Sequence, residues 1–319
     1  MFRNPRFENL THIVAFVVTV IALNLPSNSV SAQSTLVVDK DGSGSRSDCN
    51  TATPAFGNIQ SAVNTAAVGD TIFVCPGAYD EQITVTTDDL TIRGAGAGLT
   101  VIRPSQIANN AMRPGTSFPV GAILLVDEAS GVTIENITID GSLADSGSNV
   151  FPTCLGIPFY TGVYYRLSSG NIDATHVTHI KSATACTFAV LVQTDQTGSE
   201  GIANVAIKNS LIDEYGLGGV NCIGQNTACT LTGNTVRGQG PVNDLLQAGI
   251  IVRAESQSII SGNIVTDHFF IGARGAQESA AGIFLFFANP NSNPHVHQTN
   301  IFANNQLNVQ RLGTAAAFD

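Results

Sequence analysis

Short runs of alternating apolar and polar residues recur along the chain at a near-constant interval. The clearest unit is Ala248–Phe270, AGIIVRAESQSIISGNIVTDHFF. Gly249 opens it, and Ile250 and Val252 then alternate with Ile251 and Arg253. A polar turn over Ala254–Ser258 leads to Ile259-Ile260, Asn263 precedes Val265, and Asp267-His268 closes the unit. Openers recur at Gly162-Val163, Ala189-Val190, Gly219-Val220, Gly249-Ile250 and Gly282-Ile283, with spacings of 27, 30, 30 and 33 residues. A second signal keeps the same phase: Thr175-His-Val177, Asn209-Ser-Leu211, Asn234-Thr-Val236, Asn263-Ile-Val265 and Asn305-Gln-Leu307.

A fixed period of this size marks a solenoid or a propeller. Helical solenoids need runs of about ten or more residues at 3.6 spacing. The runs here are short, two-periodic, rich in Val and Ile, and broken by Gly, Asn, Ser and Asp, which is strand chemistry. Stacked in parallel, successive coils would sit roughly 4.8 Å apart. Ile123, Val163, Val190, Val220, Ile250 and Ile283 would then form one buried stack. The asparagines fall at corners, where an amide can bond the next coil and left-handed φ is tolerated. The pattern predicts an all-β chain: a single right-handed parallel β-helix of about eight coils, right-handed because parallel crossovers nearly always are.

Before the repeats, Ser34–Asp39 reads as a first strand and Phe56–Ala67 as a short helix with Ile59, Ala62, Val63 and Ala66 on one face. An open β-helix end exposes unpaired strands, so this helix is the expected cap. Strands follow at Thr71–Val74, Gln82–Val85, Leu90–Ile92 and Thr100–Ile102. Four segments here, DGSG at Asp41–Gly44, IQSAV at Ile59–Val63, GDTIFV at Gly69–Val74 and PGAYDE at Pro76–Glu81, resemble the opening coil of the pectin-lyase-like right-handed β-helix superfamily, as in pectin methylesterases. At motif level the resemblance covers Asp39–Ile102, and at fold level essentially the whole chain after the leader. It implies a carbohydrate-active protein. The local signatures of the superfamily's enzymes are missing. There is no tryptophan, and the sole Asp-Asp pair is Asp88-Asp89, in a turn. The Asn-Thr-Asp and Gly-His-Gly strings of polygalacturonases and the Trp-Ile-Asp-His segment of pectate lyases are absent. The nearest approach to the Asp-Pro-His of mannuronan epimerases is Asn293-Pro294-His295, which lacks the carboxylate.

The ends and insertions divide the chain. Arg3 and Arg6, the apolar run Ile13–Leu25 and the small residues Val30-Ser31-Ala32 read as a signal peptide over 1–32, too short to span a bilayer comfortably. One β-helix domain fills 33–319, with strand and cap over 33–70, coils over 71–309 and a tail over 310–319. Two insertions, Pro104–Pro119 and Gly141–Tyr160, both leave after a second strand and return at an opener, so both should emerge from one side. Solenoid function gathers where insertions gather.

The leader implies an exported, secreted or periplasmic protein with no membrane contact after cleavage. Losing Arg3, Arg6 and Glu8 with it takes the net charge from −10 to −11. Such a balance disfavours nucleic acid, which needs basic clusters. Six cysteines in an exported chain favour disulfides. Six allow 15 pairings; Cys49–Cys75 would close the cap, Cys222–Cys229 straddle one turn, and Cys154–Cys186 remain, with buried thiols the alternative. CxxC spacing is absent, so no metal site is expected. No cofactor is required, and calcium would enter only with a lyase reaction. Oligomeric state is not written in the pattern.

Candidate chemistry falls in two places. Aligned second strands put His179, Asp213 and Asp267 at equivalent turn positions, with Lys181, Glu214 and Arg237 nearby. A His–Asp pair beside a cation suits proton abstraction next to a uronate carboxylate; the alternative is a ladder of polar turn residues. The second place is the outward side of the opener strands, where Tyr164, Arg166, Arg253, Phe284 and Phe286 would line a strip suited to stacking on sugar rings and to gripping carboxylates. The alternative there is that the insertions pack over the strip. The reading is a protein that binds, and as a lyase, hydrolase or esterase cleaves, an acidic polysaccharide such as a polyuronate. The competing class is a non-catalytic glycan-binding or cell-surface module.

Overall fold

Three parallel ladders run the length of the chain in the computed structural model, which describes residues 33–144, 158–195, 197, 199–243, 247–272, 280–287 and 295–313. The leader 1–32 and Cys154 lie outside these. Each coil contributes one strand to each ladder, as with Val132–Glu135, Thr138–Asp140 and Phe159–Arg166 in the first, second and third sheets. The second sheet holds eight strands, hence eight coils, and the first begins one strand earlier with Thr35–Val38. Every rung in the three ladders is parallel; the short strand Ala111–Met112 pairs antiparallel with Pro119–Asp127. The chain is a right-handed parallel β-helix.

Alternation decides which side chains enter the lumen. Along the third sheet Ile83, Leu124, Val163, Val190, Val220, Ile250 and Ile283 stack in register, all fully buried. Each such side chain contributes about 1.5–3 kcal/mol by leaving water. The expected stack holds at every rung but one: Leu124 replaces Ile123, because the strand PVGAILLVD is apolar up to its last residue, Asp127, and no alternation with polar residues marks its phase. Glycine openers have a steric cause. A Cβ on Gly219 would lie 2.5 Å from the Gly249 carbonyl, and one on Gly249 2.6 Å from the Gly282 carbonyl.

The corner asparagines stack as well. Asn234 Oδ1 accepts from Ser210 N, Asn263 Oδ1 from Asn234 N, and Asn300 Oδ1 from Asn263 N, while their amide nitrogens donate to Ile207, Leu231 and Ile260 carbonyls. Asn209 and Asn305 are not members. Asn209 sits one residue before the ladder position, which Ser210 fills, and turns its amide to Asp173. Asn305 precedes an opener strand, Leu307–Gly313, which pairs with Ala281–Phe287; residues 310–313 therefore belong to the last coil and not to a tail.

The cap is Ile59–Thr65, shorter than the expected 56–67. Asn58 accepts from Ser61 N as its N-cap, and the Glu81 carboxylate takes the next two free amides, Ile59 N and Gln60 N. Ile59, Ala62 and Val63 cover the lumen's end. Cys49–Cys75 fastens the segment before the cap to the first coil, and Cys222–Cys229 joins the third and first sheets inside the core. Among the described residues no helix is long and apolar enough to cross a membrane.

Candidate functional site

The outward face of the second sheet carries a charged column. Register places Asp140 beside Thr178, with Arg103, Asp213 and Arg237 following on the neighbouring coils. Asp213 is nearly buried, and its Oδ1 accepts from His176 Nε2 at 2.8 Å while Oδ2 accepts from Arg237 Nη2 at 2.6 Å. Burial alone would raise its pKa; the hydrogen bonds from His176 and Thr178, and then from Arg237, outweigh it and hold the carboxyl at about 2. Asp213 is thus ionised at any physiological pH. Because a carboxylate only accepts, it fixes the His176 proton on Nε2 and leaves Nδ1 as the open acceptor.

A second dyad lies next to the first. His179 Nδ1 approaches Asp140 Oδ1 at 3.3 Å, and Asp140 also accepts from Ser142 N and faces Arg103 Nη1 at 3.7 Å. The Thr178 hydroxyl joins the two, lying 3.2 Å from His179 Nδ1 and bonding the Asp213 carboxyl. Lys181 is occupied by Glu214 at 2.5 Å.

The expected catalytic set is therefore regrouped. His179 and Asp213 do not form the dyad; Asp213 pairs with His176, and His179 with Asp140. The corner column that follows the second sheet, continued along the same register, is His179, Glu214, Gly238, Asp267 and Asn304, and Asp213 belongs one residue earlier. His179, Glu214, Asp267 and Asn304 share left-handed φ of 55°, 51°, 65° and 54°. Asp267 stands three coils from His179 and accepts from Asn304 Nδ2 instead. His176 and Asp140 went unnoticed because they read as an ordinary strand position and a strand end. The usable signal was outward alternation with Val177 and Ile139, which face the core.

The opener strip points outward as expected, with Val163, Tyr165, Val252 and Leu285 inward. It is not exposed. Tyr164, Arg253 and Phe284 are 0, 6 and 5% accessible, and Tyr164 and Phe284 belong to a second apolar cluster that also holds Leu125, Phe159 and Leu191. The first insertion covers its early part: Ala111 packs on the cluster, and the Arg113 guanidinium lies 4.3 Å from the Phe159 ring centre. Arg166 is not open to a sugar carboxylate, since Nη1 pairs with Asp127 and Glu128 and Nε donates to Met112 O. Phe286 is half-buried, stacked on Phe284.

Both insertions leave from the corner between the second and third sheets. A cleft of about 690 Å³ opens there, walled by Gln106 and Asn109 from the first, Leu143 and Tyr160 from the ends of the second, and Ser182 and Thr184 from the next coil. Asp140 lies three residues before Leu143, and Lys181 immediately precedes Ser182, so the cleft adjoins the dyads. The remaining cluster of metal-ligand type among the described residues, Asp39 with Cys49 and Cys75, has both sulfurs committed to a disulfide.

No family model matches the chain, and no curated protein does. Similar solved structures exist. Escherichia coli ybhc is 12% identical over 94% of this chain and 88% of that one, with a TM-score of 0.50. Pectin methylesterase PemA from Erwinia chrysanthemi is 14% identical over 84% and 92%, TM-score 0.40. A GH136 lacto-N-biosidase from Eubacterium ramulus is 13% identical over 80% and 51%, TM-score 0.47. At such identities the likeness concerns the fold alone.

Proposed function

We propose that the chain is an exported, carbohydrate-active β-helix protein that holds a polysaccharide at the corner between the second and third sheets and processes it by acid–base chemistry. One observation carries the reading: two His–Asp dyads, joined through Thr178, beside a cleft walled by both insertions. Each imidazole has one nitrogen held by a carboxylate and the other directed away from it, the arrangement of an oriented proton acceptor or donor. His176 acts as the base, Asp213 orients it, and Arg237 keeps Asp213 charged. His179 with Asp140 supplies the second proton-transfer group. A lyase, a hydrolase or an esterase could be built on this pair. Export rests on the leader reading and on the disulfides, which form in oxidising compartments.

The test is product analysis on a panel of polysaccharides. Turnover by the parent chain should fall roughly a hundredfold or more in His176→Ala, the size of a general acid–base contribution. An unchanged rate in that variant would remove the dyad from catalysis. A second reading, a non-catalytic glycan-binding module, is favoured by the full ion pairing of the network: Asp213, Asp140 and Glu214 all have cationic partners, as Glu135 has Arg93 on the first sheet. That reading predicts binding without product.

A further inference from the structure

The lining of the cleft points away from the acidic substrate that the strip suggested. None of its described lining residues carries a charge. Gln106, Asn109 and Thr184 stand exposed at its rim, while Phe159, Tyr160 and Ser182 are buried beneath them. Amide and hydroxyl groups both donate and accept, as sugar hydroxyls do, and an apolar floor suits the carbon face of a sugar ring. The volume, about 690 Å³, falls in the range of small-molecule sites.

The surroundings argue the same way. Arg103, Lys181 and Arg237 lie near the cleft and are already engaged by Asp140, Glu214 and Asp213, while Arg113, stacked against the Phe159 ring, is buried. A uronate carboxylate would leave water for a wall without a cation, which is costly. It would also approach a chain of net charge −10. We propose that this cleft binds an uncharged sugar unit, held by Gln106, Asn109 and Thr184. The inference rests on the carbohydrate-active reading given above and narrows it. It also removes β-elimination at a free uronate from the reactions open to the dyads, because that reaction takes the proton next to an ionised carboxylate.

Calorimetry with cellohexaose, mannohexaose, hexagalacturonate and hexaguluronate, each at low and high salt, tests this. At least one neutral hexaose should bind with an affinity that salt leaves unchanged, since no charge is screened. Thr184→Trp, which fills the cleft from an exposed position, should weaken that binding by roughly tenfold or more, and Asn109→Ala should weaken it without adding bulk. Both variants should keep the parent's circular dichroism spectrum. Tighter binding of either uronate, declining with salt, would overturn the neutral-sugar inference and leave the carbohydrate reading standing. Neutral binding unaltered in both variants would overturn the location. Binding of none of the four would overturn the inference, and absence of product from the whole polysaccharide panel would be needed to bring the broader reading down with it.

Discussion

His268 is a titratable ring sealed inside the lumen. Asn305 donates through its amide nitrogen to Val265 O, so its Oδ1 accepts from the backbone N and the Nδ1 of His268. The ring proton is therefore on Nδ1, and Nε2 accepts from the Tyr215 hydroxyl at 2.5 Å. Burial pushes the His268 pKa down to about 4, against the upward pull of Asn305 and Asp267. An unfolded histidine takes its proton near pH 6.5 and the folded one only near pH 4, so stability is complete above that window and falls as pH drops through it. The loss should approach about 3 kcal/mol by pH 4. Asp213 acts later: its folded pKa of about 2 is depressed, so its contribution holds above the ordinary aspartate value and drains away as pH falls toward 2. Urea midpoints measured from pH 7 to pH 3 should decline in the first window, and His268→Gln should flatten that part of the curve. A parent midpoint constant from pH 6.5 to 4 would contradict the sealed, neutral ring. No feature of the sequence marked His268 as interior, because Asp267-His268 reads as a polar turn; a left-handed residue at Asp267 turns the ring inward.

At the scale of the strand and corner, legibility followed the strength of the local marker. Openers in which a small residue precedes a branched one could be phased to the residue, as Ala189-Val190, Gly219-Val220, Gly249-Ile250 and Gly282-Ile283 show. Apart from Thr235–Val242 and Ile264–Phe270, second strands are only two or three residues long, so one residue more or less before them moves the alignment by a position. That slip put Asp213 on the His179 column and hid the His176 dyad. Pairing across coils is what resolves it, and a single chain read in one dimension contains no such pairing. Asn209 and Asn263, alike in sequence context, should consequently behave differently. Asn263→Ala strips a buried ladder of an acceptor and a donor and should cost about 1–3 kcal/mol. Asn209→Ala removes an exposed bond to Asp173 and should change stability by less than about 0.5 kcal/mol. Gly249→Ala drives a methyl against the Gly282 carbonyl and the His268 ring, and thermal melts should register a loss of about 1–3 kcal/mol.

The whole molecule was the most legible level, because eight coils repeat one message and errors at single rungs average out. The cap and the two bridges also followed from the sequence. The burial of the opener strip did not, since it depends on where an insertion folds back. Peptide mapping without reduction should return Cys49–Cys75 and Cys222–Cys229. Opening the first, which closes a separation of 26 residues, should cost on the order of 3 kcal/mol in the chain-entropy model. The three ladders carry one more consequence, which resembles a reading frame. Side chains alternate with period two, so deleting one residue within a strand such as Cys186–Gln193 exchanges lumen and exterior for every position beyond it until a corner absorbs the slip. Residues added or removed at the corner where the insertions leave change no frame at all. The column can therefore acquire a new surface by growing loops at one edge, or a new length by gaining a complete coil, while the message stacked inside it stays in phase.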